Sequence, residues 1–332
     1  MMTAEKINFS KSLTELLNGL ANVEETVEIS GVAIDSRSVK PGDLFMAYRG
    51  SNVNGIDYIS DAIKSGAVAI VIDAQENIES QSISAPVVKV NKLRNQVGTI
   101  VSRFYNEPSS QMAIIGITGT NGKTTISYMV AQVLSVLEKK SAVIGTIGNG
   151  QFGKIESANM TTPDPVKLHS LFNDWRDEVD YVVMEVSSHA LDQGRVAGTQ
   201  YYSANFNNLI RDNLDYHETI EAYADAKFQL FKFPELKHAI VNIDDSYGLQ
   251  LINQIPDSVE VIAYSKKQTQ LNIKRKSISF VYCDEIQTKQ LGTLLKINLK
   301  AIAGSYASYF GADHTQRLNE GINGWVASYP AA

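Results

Sequence analysis

The sequence has one cysteine, Cys283, among its 332 residues. A single thiol excludes an internal disulfide. The N-terminal "MMTAEKINFSKSLTELL" lacks the basic-then-apolar profile of an export signal, so the expected compartment is the cytoplasm. Long apolar runs are also missing. A stretch such as "GAVAIVI" is too short to cross a bilayer, which argues against a membrane partner. Positive charge is not in surplus, with 30 Lys and Arg against 36 Asp and Glu and a net charge of -6. That balance argues against nucleic acid as the main partner, since a phosphate backbone needs concentrated Lys and Arg. No internal repeat or low-complexity segment is visible. What is present, 44% hydrophobic and 20% charged residues, is the composition of a soluble globular protein. The length predicts two domains.

The pattern along the chain predicts α/β architecture throughout. Phe9 to Ala21 read as an amphipathic helix. "VEISGVAIDSRSV" reads as a strand running into a loop, and "PGDLFMAYRG" as a turn and a short strand. "YISDAIKSGAVAIVID" reads as a helix and a strand, with Gly66 closing the helix. "APVVKV" and "KLRNQVGTIVSRFY" add a strand and a helix. These elements make a small α/β domain over residues 1–108, and the polar "NEPSSQ" is the expected linker. Over 109–332, "MAIIGIT", "SAVIGTI", "YVVMEVS", "YYSANF", "HAIVNI" and "VEVIAY" read as strands, with helices between most of them. That alternation predicts a doubly wound, mostly parallel sheet, with ligands at the C-terminal strand ends. The tail from "LLKINLKAIAG" onward has weak periodicity and no firm assignment.

After the strand "AIIGI" come Thr118, Gly119, Thr120, Asn121, Gly122, Lys123, Thr124 and Thr125, followed by a helical pattern. Glycines let backbone N–H groups converge on an anion, and the helix adds its N-terminal partial positive charge. Lys123 is placed to reach the β/γ-phosphates and the Thr124 hydroxyl to ligate Mg²⁺. The strict phosphate-loop spacing misses by one residue, since Ile117 stands where the first glycine belongs and Gly116 is one position early. The strand–turn–helix context nevertheless carries the mechanism.

Other polar stretches leave alternatives open. Glu185, at the end of "YVVME", can join a Mg²⁺ shell, or be a loop charge or a helix cap. "NFNNLIRDNLDYHETIEAYADAKFQLF" gathers Asp212, Asp215, His217, Glu218, Glu221, Asp225 and Lys227, which a solvated acidic helix face would also explain. "AIVNIDDSYG" ends a strand with Asn242, Asp244 and Asp245, which could read a ribose or base or form an ordinary polar turn.

Taken in order, "TGTNGKTT", "TTPDP", "MEVSSHAL", "NLIRDNLDYH", "YADAK" and "NIDD" resemble the Mur ligases, most closely the MurE type. "DSRSVKPGDLFMAYRG" followed by "AIKSGAVAIVID" resembles that family's uridine-nucleotide domain, and the likeness covers roughly residues 25 to 265. It implies an ATP-dependent peptide ligase of peptidoglycan precursor synthesis, acting as a monomer with ATP and Mg²⁺. A carboxylate is phosphorylated to an acyl phosphate, an amino group attacks it, and phosphate leaves. The acceptor implied is UDP-N-acetylmuramoyl-L-alanyl-D-glutamate, and the incoming amino acid is meso-diaminopimelate or L-lysine.

The resemblance also implies roles. Gly119, Thr120, Asn121, Gly122, Lys123, Thr124 and Thr125 look like the ATP phosphate cradle, and Asn242 and Asp245 like adenosine-side contacts. Thr124 and Glu185 look like Mg²⁺ ligands. Lys227 sits where the family carries a carbamylated lysine, whose negative charge can help hold a second Mg²⁺. Ser36 resembles a uridine-nucleotide contact, Thr161 and Thr162 contacts to the sugar-peptide or its diphosphate, and Ser188, Gln193 and Arg195 acceptor contacts.

The sequence departs from the family in three places. Asn213 replaces a histidine associated with the second metal, though an amide oxygen can still serve Mg²⁺. Asn207-Asn208-Leu209 stands for the usual Thr-Asn-Leu. The chain also stops before the family's C-terminal domain, and "AGSYASYFGADHT" replaces an expected Gly-x-Phe-Asn segment. A truncated chain that binds nucleotide without completing ligation is therefore one alternative. Another is a ligase such as folylpolyglutamate synthetase, which lacks a uridine-nucleotide domain. An unrelated phosphate-loop ATPase is the third.

Overall fold

The computed structural model describes residues 9–24, 27–50, 53–78, 83–266, 278–289 and 292–302, with only the backbone described over 284–302. The chain divides into two compact units, residues 1–114 with 124–201, and residues 115–123 with 202–332. Among the described residues no helix is long and apolar enough to cross a membrane.

The first unit contains a four-stranded parallel sheet built from Gly31–Ala33, Asp43–Ala47, Ala69–Asp73 and Val87–Val90, in that order. Its central strands are apolar at successive positions because both faces are covered. Side chains alternate between the two faces. Leu44, Met46, Ala69 and Val71 therefore join one core with Leu13, Leu16, Leu17 and the helix Leu93–Phe104. Phe45, Ala47, Ile70 and Ile72 join the other, with Ile59 and Ala62 of the helix Ile59–Lys64. Gly66, at φ 106°, ends that helix as its spacing predicts.

The same unit holds the parallel strands Ser141–Ile144 and Tyr181–Glu185. An antiparallel edge, Asn149–Gln151 and Lys154–Glu156, was not foreseen from the sequence. In the second unit Tyr201–Phe206, His238–Asn242, Glu260–Ser265 and Ile278–Lys289 run parallel. Gly292–Ile302 closes the sheet antiparallel. The α/β class and the mostly parallel strands agree with the sequence reading.

Two expectations are corrected. The helix expected over Phe9–Ala21 is only Leu13–Leu16. Ser12 and Glu15 form a reciprocal capping box that starts it, and Gly19 at φ 72° follows its end. Lys11 and Ser12 pair instead with Ile29 and Glu28, and Phe9 packs its ring against Phe104 and Tyr105. The "NEPSSQ" segment is a packed 3₁₀ turn over Pro108–Gln111, in which buried Ser109 Oγ accepts from the Gln200 N–H at 3.0 Å. The tail beyond residue 302, including the segment compared with Gly-x-Phe-Asn, lies outside the described residues.

Candidate active site

In the second unit the phosphate loop follows the strand Ala113–Thr118. Gly119 at φ 150° and Gly122 at φ 83° take backbone conformations that a side chain would oppose. The Lys123 ammonium folds over the loop and donates to the carbonyls of Gly119 and Thr120, both at 2.9 Å. Two asparagines strap the loop from outside. Asn208 accepts from the Asn121 N–H through Oδ1 at 2.9 Å, and its carbonyl accepts from the Thr120 N–H at 2.9 Å. Asn207 donates from Nδ2 to the Asn121 carbonyl at 2.8 Å.

Lys227 is in the helix Ile220–Phe228 and is 1% exposed. Its ammonium donates to the Gly119 carbonyl at 3.0 Å and lies 4.3 Å from the centre of the Tyr223 ring. Burial, and then repulsion from Lys123, lowers its pKa from 10.5 to about 7, against the attraction of Asp212. An amine so placed is partly neutral near pH 7 and hence nucleophilic. The Tyr223 hydroxyl meets Thr120 Oγ1 at 3.2 Å and accepts from Asn213 Nδ2 at 3.4 Å. Asn213 has φ 54°, a left-handed conformation that asparagine tolerates well, and starts the short helix Leu214–His217.

Asp245 and Asn242 sit at the end of the strand His238–Asn242. Asp245 accepts the Leu209 N–H on Oδ2 at 2.7 Å and the Tyr247 N–H on Oδ1 at 2.9 Å. It thereby caps the helix Ser246–Ile252 and pins the loop after Tyr201–Phe206. Asn242 donates from Nδ2 to the Asn207 carbonyl at 2.8 Å.

In the first unit Thr124 lies at the start of the helix Lys123–Val136, and its hydroxyl donates to Glu185 Oε2 at 3.0 Å. Glu185 is fully buried. It also accepts from the Thr146 N–H at 3.0 Å and the Thr146 hydroxyl at 3.1 Å. Gly145 leaves it room, since a Cβ there would stand 2.2 Å from Oε1. A buried carboxylate beside threonine hydroxyls is an oxygen donor set of the kind Mg²⁺ prefers. Among the described residues no three His, Cys, Asp or Glu side chains converge as a metal cage. Thr125 is exposed on the same helix.

Thr161 Oγ1 lies 3.0 Å from Thr146 Oγ1, which links "TTPDP" to the Glu185 cluster. Thr162 donates its hydroxyl to the Glu185 carbonyl at 2.9 Å and accepts from the Ser187 N–H at 3.1 Å. Ser187 caps the helix Ser188–Asp192, in which Ser188 is buried. The Arg195 guanidinium donates from Nε and Nη2 to Gln193 Oε1, at 2.8 and 2.5 Å, and from Nη1 to the Thr162 carbonyl at 3.2 Å. Thr161, Thr162, Gln193, Arg195 and Glu185 thus belong to one network. Ser36 is buried in a 3₁₀ turn, Ser36–Ser38, and shares no hydrogen bond with that network among the described residues. Sequence reasoning missed Gly145 and Thr146, Tyr223, and the straps Asn207 and Asn208. Of these only Asn207 carried a signal, as a departure from a family pattern.

Two family matches cover most of the chain: the Mur ligase middle domain over residues 117–306, and the Mur ligase family catalytic domain over residues 28–105. The chain is 40% identical over 279 residues to a UDP-N-acetylmuramoyl-L-alanyl-D-glutamate–2,6-diaminopimelate ligase of Ectopseudomonas mendocina, covering 84% of this chain and 55% of that protein. It is 41% identical to the protein of the same name from Pseudomonas aeruginosa, covering 81% of this chain and 54% of that one. A solved structure of a ligase with that name superposes with a TM-score of 0.77 at 25% identity, covering 97% of this chain and 68% of the other. The chain spans about half the length of the curated relatives it matches.

Proposed function

The chain belongs to the Mur ligase family, and on that premise we propose that it takes part in ATP-dependent amide-bond formation on a peptidoglycan precursor. The acceptor is UDP-N-acetylmuramoyl-L-alanyl-D-glutamate, and the incoming amino acid is 2,6-diaminopimelate, the one named for the relatives above. One observation carries the reading beyond a generic phosphate loop. Lys227 is buried against the Gly119 carbonyl of that loop, with its pKa lowered to about 7. A surface lysine would have no reason to be there. A neutral amine in this position can add to carbon dioxide: the N–C bond forms as one C=O π bond opens onto oxygen, an N–H proton leaves to solvent, and the neutral amine becomes a carbamate anion.

Residues 119–123 hold the triphosphate, with backbone N–H groups and the Lys123 ammonium offsetting its charge. Asn242 and Asp245 contact the nucleoside, and Asp245 also anchors the Leu209 loop. Mg²⁺, when bound, would neutralise phosphate charge; Thr124 and Glu185 are the residues proposed to hold one ion, and Asn213 and the Lys227 carbamate those proposed for a second. Thr161 and Thr162 meet the sugar-peptide or its diphosphate, Ser188 and Gln193 line the acceptor, and Ser36 meets the uridine nucleotide. Arg195, whose Nε and Nη2 here donate to Gln193, would turn its guanidinium to a carboxylate of the acceptor. The domains proposed are a uridine-nucleotide domain, 1–108, and an ATP domain from residue 109. The compartment proposed is the cytoplasm and the oligomeric state a monomer.

The test is ADP release with ATP, Mg²⁺ and the acceptor, with and without meso-diaminopimelate or L-lysine. Diaminopimelate-dependent release with tripeptide product supports the full reading. Binding of both nucleotide and acceptor without turnover assigns this chain substrate holding alone.

A further inference from the structure

Asn207 carries no role in the family resemblance, yet all four of its polar groups are engaged at the phosphate loop. Its N–H donates to the Thr118 carbonyl at 3.0 Å, and its carbonyl accepts from Asn242 Nδ2 at 2.8 Å. Its side-chain Oδ1 accepts from the Tyr264 hydroxyl at 2.9 Å, while Nδ2 donates to the Asn121 carbonyl at 2.8 Å. Tyr264 and Asn242 are opposite one another in the parallel pair of strands. A Cβ on Gly122 would stand 2.5 Å from Asn207 Nδ2, so the amide occupies the space that this glycine leaves.

We propose that Asn207 is a positioning residue: its side-chain amide ties the phosphate loop to Tyr264 while its backbone carbonyl holds Asn242, so that the nucleoside and phosphate ends of the nucleotide are held in one fixed relation. The proposal rests on the reading of residues 119–123 as a triphosphate cradle and of Asn242 as a nucleoside contact. The chemistry asks for an amide. One arm must donate to a carbonyl and the other must accept from a phenol. Aspartate loses the donor and sets a carboxylate against the Asn121 carbonyl. Threonine, usual in the family, offers one oxygen where two different atoms are needed. Tyr264 acts on the loop through Asn207, so its effect should vanish when the amide is gone.

The experiment compares the full chain with Asn207→Ala, Tyr264→Phe and the double variant. Backbone hydrogen exchange at Thr120 and Asn121 is followed without nucleotide, and the affinity for Mg²⁺·AMP-PNP is measured alongside. Loss of one such hydrogen bond should speed exchange at these two amides about tenfold in Asn207→Ala, less in Tyr264→Phe, and no further in the double variant. AMP-PNP affinity should fall in the same order. Unchanged loop exchange in Asn207→Ala, or effects that multiply in the double variant, would overturn the proposal. So would faster exchange spread equally into the strand His238–Asn242, the mark of general destabilisation. If Asn207→Ala does not fold, Asn207→Thr and Tyr264→Phe carry the same comparison. A wild-type chain that binds no AMP-PNP defeats the triphosphate reading, while the ligand-free exchange still decides the role of Asn207.

Discussion

Gly145→Ala separates the buried carboxylate from the rest of the fold. Gly145 is not among the glycines with positive φ, so alanine meets no backbone penalty there. Its methyl group does meet Glu185: the added carbon would stand 2.2 Å from Oε1, 2.8 Å from Cδ and 3.0 Å from Cγ. Ordinary contact begins at 3.4 Å, so the carboxylate must move by more than 1 Å. Moving it breaks the bond from the Thr146 N–H and strains those from the Thr124 and Thr146 hydroxyls. A buried donor left unsatisfied costs about 1–3 kcal/mol, and overpacking costs a similar amount. Alanine's smaller unfolded-state entropy returns about 0.4–1 kcal/mol. The net loss expected is about 1–5 kcal/mol in a urea titration. Under the proposed role of Glu185, the Mg²⁺ dependence of AMP-PNP affinity should weaken as well. A stability change within about 0.5 kcal/mol together with unaltered Mg²⁺ dependence would refute the reasoning.

The buried Lys227 gives a pH dependence of definite sign. Its folded pKa is about 7 against 10.5 for an ordinary lysine, so across that window the unfolded chain binds a proton that the folded chain does not. Stability should therefore rise with pH through the window, relative to Lys227→Met, in urea titrations run free of carbon dioxide. Gly98→Ala puts a Cβ 2.3 Å from the Ala197 carbonyl oxygen. It should destabilise by about 1–3 kcal/mol, even though alanine favours a helix over glycine by about 1 kcal/mol, and thermal melting checks it. Asp245→Ala removes both the cap on Ser246–Ile252 and the anchor on Leu209, and should cost about 1–2 kcal/mol by denaturation. Asp245→Asn keeps one acceptor and should cost less.

The parts of the site legible in the sequence are those whose signal is local. Gly119, Gly122, Lys123 and Thr124 stand together because one turn must converge on one anion, and a turn is read from consecutive residues. Glu185 could be found at a strand end, but its partner Thr146 lies 39 residues away, and no local rule links them. Gly145 looks like one more turn glycine until the carboxylate it makes room for is in place. Asn207 was visible only as a departure from Thr-Asn-Leu, and Asn208 keeps the family's asparagine and so gave no signal of its own. The work of Asn207 as a strap depends on Tyr264 and Asn242 in later strands, and that of Asn208 on Thr120 and Asn121 far earlier in the chain. In the fold, the apolar runs of the parallel strands were plain, because both faces of the first sheet are covered. The N-terminal helix was overextended because the apolar spacing of Phe9 to Ala21 outlasts the helix. Phe9 packs on Phe104 from outside it, and Ser12 with Glu15 sets its true start. The edge strands Asn149–Gln151 and Lys154–Glu156 are short, with Gly150 and Gly153 among their residues and turn, so they gave no periodic signal.

The most direct measurement is equilibrium binding of Mg²⁺·AMP-PNP and of UDP-N-acetylmuramoyl-L-alanyl-D-glutamate to the purified chain, with Lys123→Ala and Arg195→Ala beside it. The expected result is saturable binding of both ligands, with Lys123→Ala losing the nucleotide but keeping the acceptor, and Arg195→Ala doing the reverse. Absence of nucleotide binding, or a Lys123→Ala chain that binds AMP-PNP as tightly as the wild type, would contradict the account.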